Sequence, residues 1–270
     1  MINVNEILHR LIAEFQSIEQ VTAIAIAGSK YANYQDNLSN ININIYYTAP
    51  IASEIRNQTL MKFSSQVESE QLFNVEIDHC LLRDFPIDID LYYFNIKDIE
   101  NKLIAMMNEG SVNPYDSTRI AYLINDSNII FDRNNELQTL KQSYTGSYPE
   151  QLQHKVIQLQ YPKLKESTKS YYGQFEYALN RRDHIHITSL LNDFLKSYLD
   201  IIFALNRQFY PIEKQVIQIV EEKCVLLPSL LKEHVELLFI HAGRCDKQLL
   251  NVLDVMINQL TNLLKEQQII

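Results

Sequence analysis

Apolar residues in the first hundred positions follow two different periods. Ile7, Leu8, Leu11, Ile12 and Phe15 recur at helical spacing and predict an amphipathic helix over 4–18. The run Val21–Ala27 is continuously apolar and rich in β-branched residues until Gly28 and Ser29 interrupt it, so it predicts a buried strand. Asn40–Tyr47 alternates strictly, with Ile41, Ile43 and Ile45 on one face and Asn40, Asn42 and Asn44 on the other. That is the pattern of a half-buried strand. Helical spacing returns over 52–69, strands are predicted at Asn74–Leu81 and Ile87–Phe94, and a further helix at Lys97–Asn108.

The pattern changes after about residue 140. The segment KQSYTGSYPEQ sets Gly146 and Pro149 among small polar residues, as a connector does. Beyond it, amphipathic helical runs cover 151–160, 165–181, 185–208, 212–224, 229–242 and 246–267. Pro162, Pro211, Pro228 and Gly243 lie where these runs are expected to end. The fold class predicted is therefore an α/β (α+β) domain with a mixed sheet over 1–140, followed by an all-α helical bundle domain over 150–270.

Composition narrows the classes of function. Hydrophobic residues make up 46% and charged ones 21%, which excludes a disordered chain. No apolar run is long enough to cross a bilayer, and the N-terminus reads as an amphipathic helix, so a cytoplasmic location is expected. Cys80, Cys224 and Cys245 are odd in number and have no C-x-x-C spacing, so they are read as reduced, mostly buried thiols. A net charge of −9 argues against broad nucleic-acid binding, which needs a basic face.

With only five glycines the chain has neither a Walker loop nor a Rossmann turn. A different nucleotide-binding pattern stands at 23–47, AIAIAGSKYANYQDNLSNININIYY: an apolar strand ending in Gly28-Ser29, a polar loop, then Ser39-Asn40-Ile41-Asn42 opening an alternating strand. This resembles the polymerase-β-type nucleotidyltransferases, whose motif is a Gly-Ser pair, a loop and Ser-Asp-x-Asp on the next strand. It is closest in kind to the aminoglycoside and lincosamide nucleotidyltransferase branch, with antibiotic resistance as that branch's role. The resemblance implies Mg²⁺-dependent transfer of a nucleoside monophosphate from a nucleoside triphosphate, with ATP foremost, to an acceptor hydroxyl. The acceptor would be an antibiotic of that kind, a protein or a tRNA end.

In that reading Gly28 and Ser29 hold the phosphates, and positions 40 and 42 hold the metal with a third acid. The physical reason is that carboxylates two apart on a strand share a face and can share a cation. The third acid is expected to be Asp90, before the turn at Asn95–Asp98, with Asp88 as the alternative. The resemblance implies the same acid as the base for the acceptor hydroxyl. The departure from the motif is Asn40 and Asn42 where the family has aspartates. Three readings of it stand: a deliberate Asp→Asn inactivation, natural decay into a nucleotide-binding or regulatory pseudoenzyme, and an asparagine-rich strand unrelated to catalysis. The intact flanking pattern favours the first.

The helical half adds basic candidates. Ala204–Lys214 gathers Asn206, Arg207 and Lys214 around Pro211. This looks like the second domain of the antibiotic nucleotidyltransferases, which implies a triphosphate contact for Lys214 and Arg207; solvated helix-end charges are the alternative. Arg181 and His186 fit an Arg-x4-His spacing that resembles HEPN-type ribonuclease bundles, a short motif expected by chance. His184 and His186 diverge on a helix and make a poor metal pair.

Overall fold

A computed structural model describes residues 4–27, 40–72, 75–85, 87–113, 117–211 and 215–270. Gly28, Ser29 and Lys214 lie outside these residues. The chain divides into two compact units, Met1–Ile104 with Leu123–Gly146, and Ala105–Tyr122 with Ser147–Ile270.

The first unit is built on a six-stranded sheet. Helix α1 (Val4–Gln16) leads into β1 (Val21–Ile26) and β2 (Ile41–Tyr47), then α2 (Ser53–Leu60), β3 (Ser64–Leu72), β4 (Val75–Leu82), β5 (Asp88–Asn95) and α3 (Ile96–Glu109). After α4 (Arg119–Asn125), β6 (Asn128–Asp132) and α5 (Glu136–Tyr144) complete it. The strand order is β3-β4-β5-β2-β1-β6. Only β2 and β5 are parallel among the paired strands; the other pairs are antiparallel, so the sheet is mixed.

One sheet face carries Ile24, Ile26, Ile41, Ile43, Ile45, Ile89 and Leu91, and it buries them against Leu8, Leu11, Ile12 and Phe15 of α1. Removing one such side chain from water contributes about 1.5–3 kcal/mol. That burial fixes the register of β2, because a slip of one residue would turn its asparagines into this core.

Two expectations are corrected here. The helix predicted over 52–69 ends at Leu60, and residues 64–72 form strand β3. Strand β3 is an edge strand, SSQVESEQL, exposed along nearly its whole length. With only Ser64 buried and Val67 half-buried, it has no apolar alternation to read, and its pairing with β4 makes it a strand. Strand β6 was also not expected; five residues between turns give too short a pattern.

The second unit is helical. It contains α6 (Glu150–Leu164), α7 (Tyr171–Arg181), α8 (His184–Leu205), α9 (Val216–Lys223), α10 (Leu231–Arg244) and α11 (Gln248–Glu266). Helix α8 packs against α6, α7 and α10, and every residue from Ser197 to Leu205 is buried. A helix apolar all round belongs in the centre of a bundle. The breaks expected at Pro162 and Gly243 occur within two residues of those positions. Helix α6 stops at Leu164, two residues after Pro162, whose missing N–H and ring interrupt the hydrogen-bond ladder, and α10 stops at Arg244, with Cys245 at φ +54° beyond it.

A buried polar cluster ties this unit together. Asp200 of α8 accepts from Ser117 Oγ at 2.6 Å and from Gln160 Nε2 at 3.0 Å. Asn206 just past α8 donates to the Ile202 and Leu226 carbonyls and accepts from the Val225 and Leu226 amides, at 2.8–2.9 Å. It therefore joins the end of α8 to the segment after α9.

Candidate functional site

The parallel pairing of β2 with β5 sets Asn42 directly beside Asp90. Both project from the sheet face opposite the α1 core, since their neighbours Ile41, Ile43, Ile89 and Leu91 fill that core. Asn40, one residue before β2, donates from Nδ2 to Asp90 Oδ2 at 3.4 Å. On the other side, the Ala27 amide donates to the Asn42 carbonyl at 3.0 Å, so the end of β1 is tied to this point. Three positions singled out in the sequence, 40, 42 and 90, thus meet. Asp88 lies two residues earlier on the same strand and is exposed. The chain after β5 turns at once into α3, with Asn95 Oδ1 accepting from the Lys97 and Asp98 amides at 2.9 and 3.3 Å. That is an N-cap, and it fixes the start of α3 at the far end of β5, five residues beyond Asp90.

Sequence reading missed His79. Strand β4 pairs His79 opposite Asp90, and its Nδ1 lies 2.7 Å from Asp90 Oδ1. Its Nε2 lies 3.1 Å from Oε1 of Glu70 on β3. A carboxylate offers only lone pairs, so carboxylates at both ring nitrogens favour the doubly protonated, cationic imidazole. Partial burial pulls the imidazole pKa down, but the hydrogen bonds and charges of Asp90 and Glu70 outweigh it and hold it above the ordinary 6.5. The signal available in the sequence was alternation in VEIDHCLL, which puts Ile77 and His79 on one face. The partner across the ladder is a matter of register, and that is set by burial and turns outside the strand.

The donor set does not fit a divalent metal ion. Mg²⁺ needs about six oxygens at about 2.1 Å and favours anionic ones. Here one carboxylate, Asp90, is flanked by two amides. Both Asp90 oxygens already accept hydrogen bonds, one from His79 and one from Asn40. Asn40 turns its amide N–H toward the carboxylate, and an oxygen in that place would be repelled. Asn42 Oδ1 is buried without a hydrogen-bond partner, which leaves one neutral acceptor. Among the described residues, no group of three His, Cys, Asp or Glu side chains is arranged to hold a metal.

The remaining candidates belong to the second unit. Arg207 takes the left-handed conformation at φ +53° just past α8, its amide donating to the Ala204 carbonyl, while Gln208 donates to Phe203. This is a helix-terminating turn. Its guanidinium is half-exposed, 4.0 Å from Glu150. Arg181 and His186 are both exposed, on either side of a turn in which Asp183 caps α8 by accepting from the His186 amide at 3.0 Å.

Comparison with known proteins gives limited kinship. No curated protein matches the chain. A crystal structure described as a nucleotidyltransferase-like protein from Exiguobacterium sibiricum 255-15 is similar over 98% of this chain and 76% of its own, at 13% identity and a TM-score of 0.44. A family model described as a domain of unknown function (DUF4037) matches residues 115–215, the stretch that contains Ser117, Gln160 and Asp200.

Proposed function

We propose that this chain binds a nucleoside triphosphate, ATP foremost, at a nucleotidyltransferase-type site that it carries in a charge-depleted form. Transfer of a nucleoside monophosphate to an acceptor hydroxyl is the activity of the aspartate-bearing version of that site. One observation carries the reading: Asn40, Asn42 and Asp90 meet at the ends of adjacent parallel strands, at the positions where the resembled motif calls for three acids. Phosphoryl chemistry needs the polyphosphate charge neutralised, and three carboxylates holding a cation would do this. One carboxylate and two amides would not. The chain as written therefore acts by binding, with Gly28 and Ser29 as the phosphate-holding residues that the resembled motif implies.

Titration calorimetry with ATP, in Mg²⁺ and then in EDTA, tests this reading. The account expects measurable binding whose affinity is the same in both. Affinity that collapses in EDTA would contradict it, as would no binding of any nucleoside triphosphate.

A further inference from the structure

Resting on that reading of the site, we propose that His79 weakens divalent-cation binding there, by holding Asp90 in a protein-only network.

The argument is one of occupancy. Asp90 is the one carboxylate where Asn40 and Asn42 meet it, and its side chain is 13% exposed. One oxygen accepts from His79 at 2.7 Å and the other from Asn40 at 3.4 Å. A cation coordinating either oxygen at about 2.1 Å would have to displace a donor already in place. The imidazole is not free to swing aside, because Glu70 holds its far nitrogen at 3.1 Å. Both supports come from regular structure: His79 lies opposite Asp90 in the β4–β5 ladder, and Glu70 is on the strand paired with β4. Displacing either donor gives up a hydrogen bond to a charged partner, so a cation must compete for the site.

The asparagines and the histidine form one chemical solution. With aspartates at 40 and 42, three carboxylates would face one another and require a cation between them. With amides there, Asn40 donates to Asp90, His79 donates from the other side, and the carboxylate is satisfied without an ion. His79 acts through Asp90 and touches no reacting atom, so it is a positioning residue.

Mn²⁺ serves as the probe, with the free ion counted by electron paramagnetic resonance. Four proteins are compared: the chain as written, His79→Gln, the pair Asn40→Asp with Asn42→Asp, and that pair with His79→Gln. His79 is 39% exposed, so its replacement is tolerated, and circular dichroism verifies folding. The chain as written is expected to leave millimolar Mn²⁺ free and the aspartate pair to bind it. Adding His79→Gln to the pair should tighten binding about tenfold, ~1.4 kcal/mol. As a second readout, the His79 ring ¹⁵N resonances of the chain as written should not move on addition of Mg²⁺ but should move on Asp90→Asn. Tight Mn²⁺ binding by the chain as written, Mg²⁺-induced shifts of those resonances, or no gain from His79→Gln in the aspartate pair would each overturn the inference alone. An aspartate pair that binds no Mn²⁺ would overturn both the inference and the proposed function.

Discussion

Asp200 should make the helical unit less stable as pH rises toward neutrality, and Asp200→Asn should abolish the effect. The carboxyl lies in the C-terminal third of α8 at 4% exposure. Burial pushes its pKa up from the ordinary 3.8 to about 6; hydrogen bonds from Ser117 and Gln160 and the charges of Lys163 and Lys196 pull it only part of the way back. The unfolded chain releases this proton near the ordinary value and the folded chain near the raised one. In the window between, the folded state holds more protons, so its stability falls with rising pH. The contribution is fully present below the unfolded value and is lost as pH rises through the folded one. About two units at ~1.4 kcal/mol each give ~3 kcal/mol. The amide in Asp200→Asn can keep its oxygen on the Gln160 N–H₂ and give its own N–H₂ to Ser117 Oγ, and any remaining pH-independent cost cancels when one variant is compared at two pH values. A whole-chain melt mixes two units, so the assay is hydrogen exchange of α8 amides, corrected for intrinsic rate, at about pH 4 and about pH 7. The variant should gain on the parent by up to ~3 kcal/mol between those values. An equal difference at both would refute the reasoning.

Three further outcomes follow from contacts elsewhere. Arg56 is buried, pairs with Glu76 and Asp78 (3.1 Å to the latter) and lies 4.5 Å from the Tyr93 ring centre. Arg56→Ala should destabilise the sheet unit by about 3–5 kcal/mol in urea denaturation, because Asp78, 1% exposed, would be left without its cation. Adding Asp78→Asn should recover much of that loss. The His79 ring should titrate above 6.5 by ¹⁵N NMR and fall toward it in Asp90→Asn; any stability it adds is present below 6.5 and lost as pH rises through the raised value. Ser170 Oγ accepts from the Gly173 amide at the start of α7, and Ser170→Ala should cost that helix about 1 kcal/mol, read from exchange of its first-turn amides.

Legibility in the sequence tracked burial. The alternation of Ile and Asn at 40–45 announced β2 and its inner face, but not that Asn44 and Tyr46 on the opposite face are buried as well. Strand β3 announced nothing, since an exposed edge strand leaves no hydrophobic period. The meeting of Asn42 with Asp90 was inferred through a family motif. The opposition of Asp90 and His79 needed the β4–β5 register, and no local pattern encodes it. The joining of residues 105–122 to the helical unit through bonds such as Ser117 to Asp200, 83 residues apart, is equally invisible in local spacing.

The central claim is that three positions form a nucleotidyltransferase-type site lacking two charges. The most direct test is Asn40→Asp with Asn42→Asp, assayed for pyrophosphate release from nucleoside triphosphates across a panel of aminoglycoside, lincosamide, protein and tRNA acceptors. The added carboxylates raise the site's negative charge at positions 40, 42 and 90 from one to three, which is what a dication bridging phosphates requires. The account predicts Mg²⁺-dependent release from the double variant, none from the chain as written, and loss of the gain when Asp90→Ala is added. Release by the chain as written, or a double variant with neither release nor any gain in Mg²⁺-dependent nucleotide affinity, would contradict it.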